Sequence, residues 1–446
     1  MKKIISFLFI LTPIISLLLN DIDIVDSTLL FGATLINIVL FNTKSFNNNF
    51  CKWIVLICIW VSVVLMPAYH LVYHILKLHD IVQVDYNRLV SFGARIYFFV
   101  TISWTIFSFF YKRKKNANVK YKPIQIPDGL ILIFFIFLFC LSTFCYAIGL
   151  GRMGTEGVEL PFHLSGIINL FRRAFVPLLV AILVENYVLR GKQMPRKFYV
   201  LFGLWTLFEV FAWMSKSILV SYFEPIAIVL YFYYKPTIKQ LAKFVIPFAV
   251  GVLFLYPIIG AMRNVNSGSF SETFSEAKSV ADDEADTDDV GPLMKPLNRT
   301  FMTAQQYAQD YSYLNQDELF DFSRTVPIIL IRGAAAYQTF VIDGFPPNAN
   351  HSSGTSGLMD PLLHGGYGLC YIFVFIFMLL ATWTDRTLPK KQYSIYVILL
   401  LTIWELTSFR NISSLYDSTG IQTYLVRIIA IYIAYKINFK RHAYIK

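Results

Sequence analysis

The sequence predicts an all-α polytopic membrane protein with about twelve transmembrane helices and one large periplasmic loop that contains short helices. The first observation is composition, because the 446 residues are 56% hydrophobic, 17% aromatic and 15% charged. One soluble core cannot bury so large an apolar fraction, so a membrane is the expected solvent. The other two observations are the length of the apolar runs and the distribution of positive charge.

The apolar runs are long enough to cross a bilayer. A helix rises 1.5 Å per residue, so about 20 apolar residues span about 30 Å of hydrocarbon. The first run follows Met1-Lys2-Lys3 without a small-x-small cleavage site, so we interpret it as a retained helix rather than a secretion signal. The predicted spans lie near 4–19, 27–42, 53–75, 89–110, 129–148, 167–189, 199–214, 217–234, 244–261, 366–383, 393–408 and 421–436.

The net charge of +11 comes from basic residues that are concentrated in the segments predicted to lie in the cytoplasm. With a cytoplasmic N-terminus, the inside segments hold 24 of the 39 Lys and Arg residues and the short outside loops hold five. This asymmetry is the positive-inside rule, so both termini are predicted in the cytoplasm and residues 262–365 outside it. We therefore expect no nucleic-acid partner.

The chain is predicted to form a single transmembrane domain, 1–446, in which the large loop 262–365 is embedded. Its five cysteines lie in or beside spans, and no histidine cluster has metal-ligand spacing, so we expect no disulfide framework, metal or other cofactor. Within the loop, 272–289 reads as a solvated acidic surface, 300–314 as an amphipathic helix and 325–342 as an interfacial segment.

Two adjacent arginines mark a candidate site. Arg172 and Arg173 lie about 12 Å into the sixth span, where a charge costs at least a few kcal/mol unless it faces a cavity or a partner. The alternatives are snorkelling to the interface or pairing with Glu405 or Asp417. Further cations occupy the outer side: Arg152, Lys216, Arg263, Arg299, Arg324, Arg332 and Arg410.

This cationic face suits an anionic group carried on a lipid, above all a pyrophosphate. Arginine presents a planar fork to phosphate oxygens and keeps its charge, which favours stabilising a diphosphate leaving group. A sugar hydroxyl attacking an anomeric carbon also needs a general base. The candidates, each with an ordinary surface role as the alternative, are His163, His351, His364, Glu156, Glu159, Asp343 and Asp360.

Four patches between about residues 150 and 370 resemble the bacterial oligosaccharide repeat-unit polymerases of the Wzy type, which build O-antigen and related polysaccharides. They are Leu160 to Arg173 with Pro177, the hairpin Ser215-Lys216-Ser217, Met262-Arg263-Asn264 at the start of the loop, and Gly354 to Gly368 at its end. Lys216 departs from the arginine of that family and lacks its bidentate fork.

The resemblance implies a glycosyltransferase of the bacterial inner membrane. It would transfer a growing glycan from undecaprenyl pyrophosphate to an incoming lipid-linked repeat unit, without a metal, alongside membrane lipids and a chain-length regulator protein. Under this reading Arg172, Arg173, Lys216 and Arg263 hold diphosphates. Arg324 and Arg332 contact sugar, and the base is one of His351, His364, Glu159 and Asp360.

Three alternatives stay open at the level of sequence. An O-antigen ligase shares the architecture but uses a lipid A core acceptor. A transporter or flippase for lipid-linked glycans also has about a dozen helices, although such proteins usually combine broken helices at the midplane with short loops. A scaffold for a cell-surface assembly machine would use the arginines to contact protein.

Overall fold

The computed structural model describes the larger part of the chain, and every regular element in that part is a helix. The described residues are 2–19, 22–44, 49–60, 64, 86–110, 123–151, 160–161, 164–213, 215, 217–237, 240, 318–331, 333–342, 344, 346, 359–387, 392–404 and 418–439. No β-strand occurs among these residues. The expected all-α class is confirmed to that extent.

Thirteen helices are numbered in chain order within these ranges. The first eight are α1 (Lys2–Leu19), α2 (Ile24–Thr43), α3 (Phe50–Trp60), α4 (Tyr86–Phe110), α5 (Asp128–Ala147), α6 (Leu164–Leu189), α7 (Arg196–Trp213) and α8 (Ser217–Tyr234). The others are α9 (Thr325–Leu330), α10 (Ala334–Tyr337), α11 (Met359–Thr387), α12 (Tyr393–Trp404) and α13 (Ser418–Ala434). Helices α10 and α13 continue into π-helical turns, Gln338–Ile342 and Tyr435–Phe439.

Five of these helices are long and apolar enough to cross a membrane. They are Ile24–Thr43, Val90–Phe107, Asp128–Ala147, Leu164–Leu189 and Asp360–Arg386. Helix α5 also exposes large apolar side chains, with Leu130 61% and Ile133 66% exposed, as expected of a surface in contact with lipid. Three apolar helices are shorter, Phe50–Trp60, Ile218–Tyr234 and Tyr393–Ile403.

The twelve-span topology stays a prediction. Eleven of the twelve predicted runs overlap described helices, and the run 244–261 lies outside the described residues. The sidedness of the termini and of the large loop also stays a prediction, because the structure contains no membrane.

The chain folds as two compact units. Unit 1 comprises 1–115, 296–389 and 399–421, and unit 2 comprises 116–295, 390–398 and 422–446. In unit 1, α2 and α11 pack against α4, and the indoles of Trp53 and Trp104 meet edge to face with their centroids 4.4 Å apart. The carboxylate of Asp385 accepts the backbone N–H groups of Cys51 and Lys52 at 3.1 and 3.2 Å, which caps the start of α3.

In unit 2, α8 packs against α6 and α7, and α5 packs against α7. The buried carboxylate of Glu185 accepts the backbone N–H groups of Tyr393 and Ser394 at 2.7 and 3.0 Å, and it also accepts the hydroxyl of Tyr233 at 2.8 Å. Glu185 therefore caps the start of α12 from a different helix, which satisfies two of the amide groups that a helix leaves unpaired at its N-terminus.

The described part of the large loop packs in unit 1. Segment 325–342, expected at the interface, forms α9, α10 and a π-helical turn. Ile328, Ala334 and Leu363 form a buried cluster, so this segment packs on the first turns of α11. The predicted acidic surface 272–289 and amphipathic helix 300–314 lie outside the described residues.

Candidate functional site

The two arginines singled out by the sequence lie on a π-helical turn inside α6. Residues Phe171–Phe175 form this turn, and Pro177 follows in the first turn of the α-helix beyond it. A π-helical turn holds one extra residue and is found frequently at functional sites. Arg172 is 0% exposed, whereas Arg173 is partly exposed. The turn thus directs two neighbouring guanidinium groups into different environments.

Arg172 forms an ion pair with Glu209 of α7. Its Nε and Nη2 atoms donate to the same carboxylate oxygen, Oε1, at 3.1 and 2.9 Å, and both side chains are 0% exposed. A buried charge is strongly unfavourable unless it is paired and hydrogen bonded. Glu209 therefore explains how an arginine is accommodated in a position that excludes solvent.

Three further side chains complete the hydrogen bonding of Glu209. Oε1 also accepts the hydroxyl of Ser142 from α5, while Oε2 accepts the indole N–H of Trp213 at 2.6 Å and the hydroxyl of Tyr222 at 3.3 Å. Both oxygens are engaged, so the carboxylate is held in one orientation. A carboxylate with this many donors holds the guanidinium group of Arg172 in a fixed position.

Further contacts hold Ser142 and Tyr222, two of the donors to Glu209, in place. The indole N–H of Trp205 donates to the hydroxyl oxygen of Ser142 at 2.9 Å, and the Trp205 ring stacks on Tyr222 with centroids 5.0 Å apart and planes 13° apart. Both rings are fully buried. The network therefore joins α5, α6, α7 and α8 around one ion pair.

Trp213 contacts both arginines. The guanidinium carbons of Arg172 and Arg173 lie 5.0 and 6.0 Å from its ring centroid. Cations at these distances are attracted to the indole face, by about 2 kcal/mol or more when the contact is desolvated. Arg172 is paired with Glu209, and Arg173 places a second guanidinium group against the same indole ring.

Two buried polar atoms near Trp213 have no hydrogen-bond partner among the described residues. They are Nη1 of Arg172, a donor, and Oδ1 of Asn169, an acceptor. The thiol of Cys145 also lies beside the Arg172 guanidinium. Unsatisfied buried polar atoms are rare and mark a place where water or a ligand is expected.

Gly151 brings the chain close to Asn169 and Trp213. Its φ is +83°, and a Cβ there would lie 3.0 Å from Asn169 Oδ1 and 3.0 Å from the ring of Trp213. A residue with a side chain would be strained at that φ and would crowd both neighbours. Glycine therefore leaves room beside Oδ1 of Asn169 and the ring of Trp213.

Of the other predicted substrate-binding residues, the structure describes Arg324. Its Nη2 lies 2.5 Å from Oδ2 of Asp321, three residues earlier, and both side chains are largely buried. The hydroxyl and backbone N–H of Ser323 hold the pKa of Asp321 below its ordinary value, and Arg324 acts in the same direction. Arg324 is thus engaged in a local pair at the start of α9.

Two predicted catalytic residues, Asp360 and His364, are neighbours in the first turns of α11. His364 Nε2 lies 3.5 Å from Asp360 Oδ1, and the side chains are 5% and 0% exposed. The carbonyl of His364 accepts the hydroxyl of Thr325. The spacing of four residues places both on one face of the helix.

The remaining predicted site residues lie outside the described residues, and their roles stay predictions. They are Glu156, Glu159, His163, Lys216, Arg263, Arg332, Asp343 and His351. Arg172 and Arg173 belong to unit 2, whereas Arg324, Asp360 and His364 belong to unit 1.

Sequence reasoning missed Glu209, Trp213 and Tyr222. Among the described residues the partner of Arg172 is Glu209, and the partners considered from the sequence, Glu405 and Asp417, lie outside the described residues. The available signal was a single carboxylate inside the apolar run 198–213, since a carboxylate in such a run needs an oppositely charged partner, as an arginine does.

The sequence and structure of the chain were compared with protein-family models, curated proteins and solved structures, and none of them matches.

Proposed function

We propose that this chain is a membrane glycosyltransferase that polymerises lipid-linked oligosaccharide repeat units, with undecaprenyl pyrophosphate as the leaving group. The observation that supports the proposal best is the arginine pair on the π-helical turn of α6. One arginine is fixed by Glu209, and both contact Trp213. Rigid cations in a water-poor site stabilise a charge that develops during reaction, because little reorganisation is needed.

In this proposal Arg173 and the Nη1 edge of Arg172 bind the diphosphate of the donor. The acceptor hydroxyl attacks the anomeric carbon of the growing glycan and loses its proton to a general base. The bond from that carbon to the pyrophosphate oxygen breaks, and undecaprenyl pyrophosphate leaves with both bonding electrons. Glu209 is not assigned as the base, because its two oxygens already accept from Ser142, Arg172, Trp213 and Tyr222.

The general base belongs, in this proposal, to the group His351, His364, Glu159 and Asp360. Two members of this group, His364 and Asp360, are neighbours, with Nε2 and Oδ1 3.5 Å apart. Replacing each of the four residues in turn, and measuring the pH dependence of the rate, would identify the base.

The decisive experiment uses the purified full-length chain in lipid nanodiscs with lipid-linked repeat units. We expect a ladder of longer glycans in the presence of EDTA. Arg173→Ala should lower the rate by roughly hundredfold, as expected for removal of a group that stabilises transition-state charge. Arg190→Ala is the matched control, because Arg190 closes the same helix and lies over the ring of Tyr187 at 4.6 Å.

Three results would contradict the proposal. A ladder made by Arg173→Ala at the wild-type rate would remove the diphosphate role of this arginine. Transfer to lipid A core without any ladder would indicate a ligase, and movement of the intact lipid-linked unit across the nanodisc without transfer would indicate a flippase.

A further inference from the structure

A polar cavity in unit 1 is not used by the proposed diphosphate site. It has a volume of about 480 Å³ and lies near the starts of α2 and α4, beside α11 just after its glycine kink and beside residues 318 and 319 of the large loop. This volume is within the range of about 300–1,000 Å³ that is usual for small-ligand sites. Its lining mixes carboxylates, guanidinium groups and aromatic rings, among them Asp26, Arg88, Arg95, Glu318, Tyr367 and Tyr371.

A glycine kink builds one wall of this cavity. At Gly365 and Gly366 the backbone of α11 leaves helical geometry, and Gly366 has a φ of 74°. The loop pairs with the kink, since Gly368 N–H donates to the Leu319 carbonyl at 2.8 Å and Asp321 N–H donates to the Gly365 carbonyl at 3.3 Å. These bonds hold the loop at the cavity next to Tyr367.

Asp26 and Arg95 form the polar floor. The carboxylate of Asp26 accepts from Nε and Nη2 of Arg95 at 2.7 and 3.0 Å, a two-point pair that fixes both groups. Asp26 is 1% exposed, whereas the side chain of Arg95 is 52% exposed. The charged lining, namely Asp23, Asp26, Glu318, Arg88 and Arg95, holds three carboxylates against two guanidinium groups.

This balance of charge selects the class of ligand. The three carboxylates disfavour binding of a polyanion such as pyrophosphate, because like charges repel. The two arginines disfavour binding of a cation for the same reason. Among the described residues, no group of three His, Cys, Asp or Glu side chains is arranged to hold a metal ion. A ligand with many hydroxyl groups, which both donate and accept, matches a lining of acceptors and donors.

Two tyrosines supply the apolar part of the cavity. Tyr367 and Tyr371 lie one turn apart on α11 and therefore share a face. Phe92 and Phe99 of α4 hold them, with ring centroids 5.5 Å from Tyr367 and 4.9 Å from Tyr371. A tyrosine presents a flat apolar body with a polar tip, which suits a sugar ring whose C–H face is apolar and whose edge is polar.

We infer that this cavity binds a neutral sugar unit of an oligosaccharide, held between the two tyrosines and the Asp26–Arg95 pair. The binding of a glycan follows from the cavity itself. Its identification as the acceptor glycan of the reaction rests on the proposed polymerase function.

The test uses the full-length protein in nanodiscs and, as the probe, the water-soluble oligosaccharide released by mild acid from the lipid-linked glycan of the producing cell. Saturation-transfer difference NMR measures contact with the sugar ring protons, and titration gives the affinity. We expect Tyr367→Ala to weaken binding by about tenfold or more. Tyr367→Phe should retain most of the affinity, because it keeps the ring.

Tyr432→Ala is the matched control, because Tyr432 is 58% exposed on α13 in the other unit. Melting temperatures of all variants show whether they fold, and Glu318→Gln tests the polar lining from an exposed position that folding should tolerate. Loss of binding in Tyr367→Ala and weaker binding in Glu318→Gln, with Tyr432→Ala unchanged, supports the inference.

The inference is overturned if the wild-type protein transfers no saturation to the sugar, if Tyr367→Ala binds as well as wild type, or if pyrophosphate displaces the sugar. Its failure is separable from failure of the proposed function. Sugar binding without any glycan ladder would contradict the proposed polymerase function and support the assignment of the cavity. A glycan ladder without sugar binding at this cavity would contradict the assignment of the cavity and support the polymerase function.

Discussion

Arg172 and Glu209 form an ion pair that is completely removed from solvent, with Nη2 and Oε1 2.9 Å apart and both side chains 0% exposed. They come from α6 and α7 and are separated by 37 positions in the chain. A pair of this kind is strongly asymmetric in energy: breaking it exposes one uncompensated buried charge, whereas removing both charges does not. This asymmetry allows stability and function to be tested separately.

We predict that Glu209→Ala lowers the free energy of unfolding by about 3–5 kcal/mol, the usual cost of removing one partner of a buried pair. The double variant Arg172→Leu with Glu209→Leu should recover most of that loss, because no isolated charge remains. Thermal unfolding in detergent, followed by tryptophan fluorescence, measures both variants.

The double variant also separates the two roles of Arg172. If the arginine binds substrate diphosphate, the double variant should make little or no glycan ladder although its stability is restored. A stable double variant that polymerises normally would show that the pair has only a structural role. Equal instability of the single and double variants would contradict the predicted asymmetry, because the loss would then come from packing and not from an isolated buried charge.

A second prediction concerns Trp213, which donates its indole N–H to Glu209 and lies over both arginines. Trp213→Phe removes the hydrogen bond and leaves a buried acceptor site unfilled, at a cost of about 1–3 kcal/mol. Trp213→Leu also removes the aromatic face, which adds about 0.5–2 kcal/mol. Melting temperatures should therefore fall in the order wild type, Trp213→Phe, Trp213→Leu.

Trp383→Leu serves as the control for this series, since Trp383 is 41% exposed on α11 and its loss should change the melting temperature little. A Trp213→Leu variant as stable as Trp213→Phe would mean that the arginines gain nothing from the indole face.

The helices were predictable from the sequence because each is encoded by local hydropathy. The predicted run 129–148 and the observed helix Asp128–Ala147 differ by one residue at each end. The run 366–383 matches less closely, because α11 begins at Met359, is kinked at Gly365 and Gly366, and continues to Thr387. Its first turn is buried against α9 and α10, a tertiary contact that hydropathy does not encode.

The candidate site was predictable only in part. A positive charge in an apolar run is conspicuous, so Arg172 and Arg173 were identified from the sequence alone. Their partners depend on which helices pack together, and neither Glu209 nor Tyr222 has a local signal that links it to Arg172. The cavity around Asp26, Arg95 and Tyr367 was not predicted for the same reason, because it joins parts of three helices that are distant in sequence.

A third prediction addresses the glycine kink in α11. Gly366→Ala should destabilise the protein, because alanine at a φ of 74° is strained and its Cβ would lie 3.1 Å from the Leu319 carbonyl oxygen. We expect a loss of about 1–3 kcal/mol and displacement of the loop beside the sugar cavity. Thermal unfolding and protease sensitivity of the loop measure the two effects.

Gly203→Ala is the matched control, because Gly203 lies inside α7 and a Cβ there meets nothing within 4 Å. Alanine at a helical glycine should stabilise the protein by about 0.5–1 kcal/mol. A Gly366→Ala variant as stable as Gly203→Ala would show that the loop does not depend on the kink.

The last prediction is a pH dependence at the start of α9. Ser323, through its hydroxyl and backbone N–H, and then Arg324 hold the pKa of Asp321 below its ordinary value of 3.8. A carboxyl group with a depressed folded pKa contributes stability that is fully present above its unfolded pKa and is lost as pH falls through the folded pKa. The wild-type melting temperature should therefore decrease when the pH is lowered below about 4. Asp321→Asn should remove that part of the decrease while lowering stability at neutral pH.

Ser323→Ala should move the transition to higher pH, because it removes the largest cause of the lowered pKa of Asp321. A Ser323→Ala variant whose pH profile coincides with that of wild type would show that the Asp321 carboxylate is held by Arg324 instead.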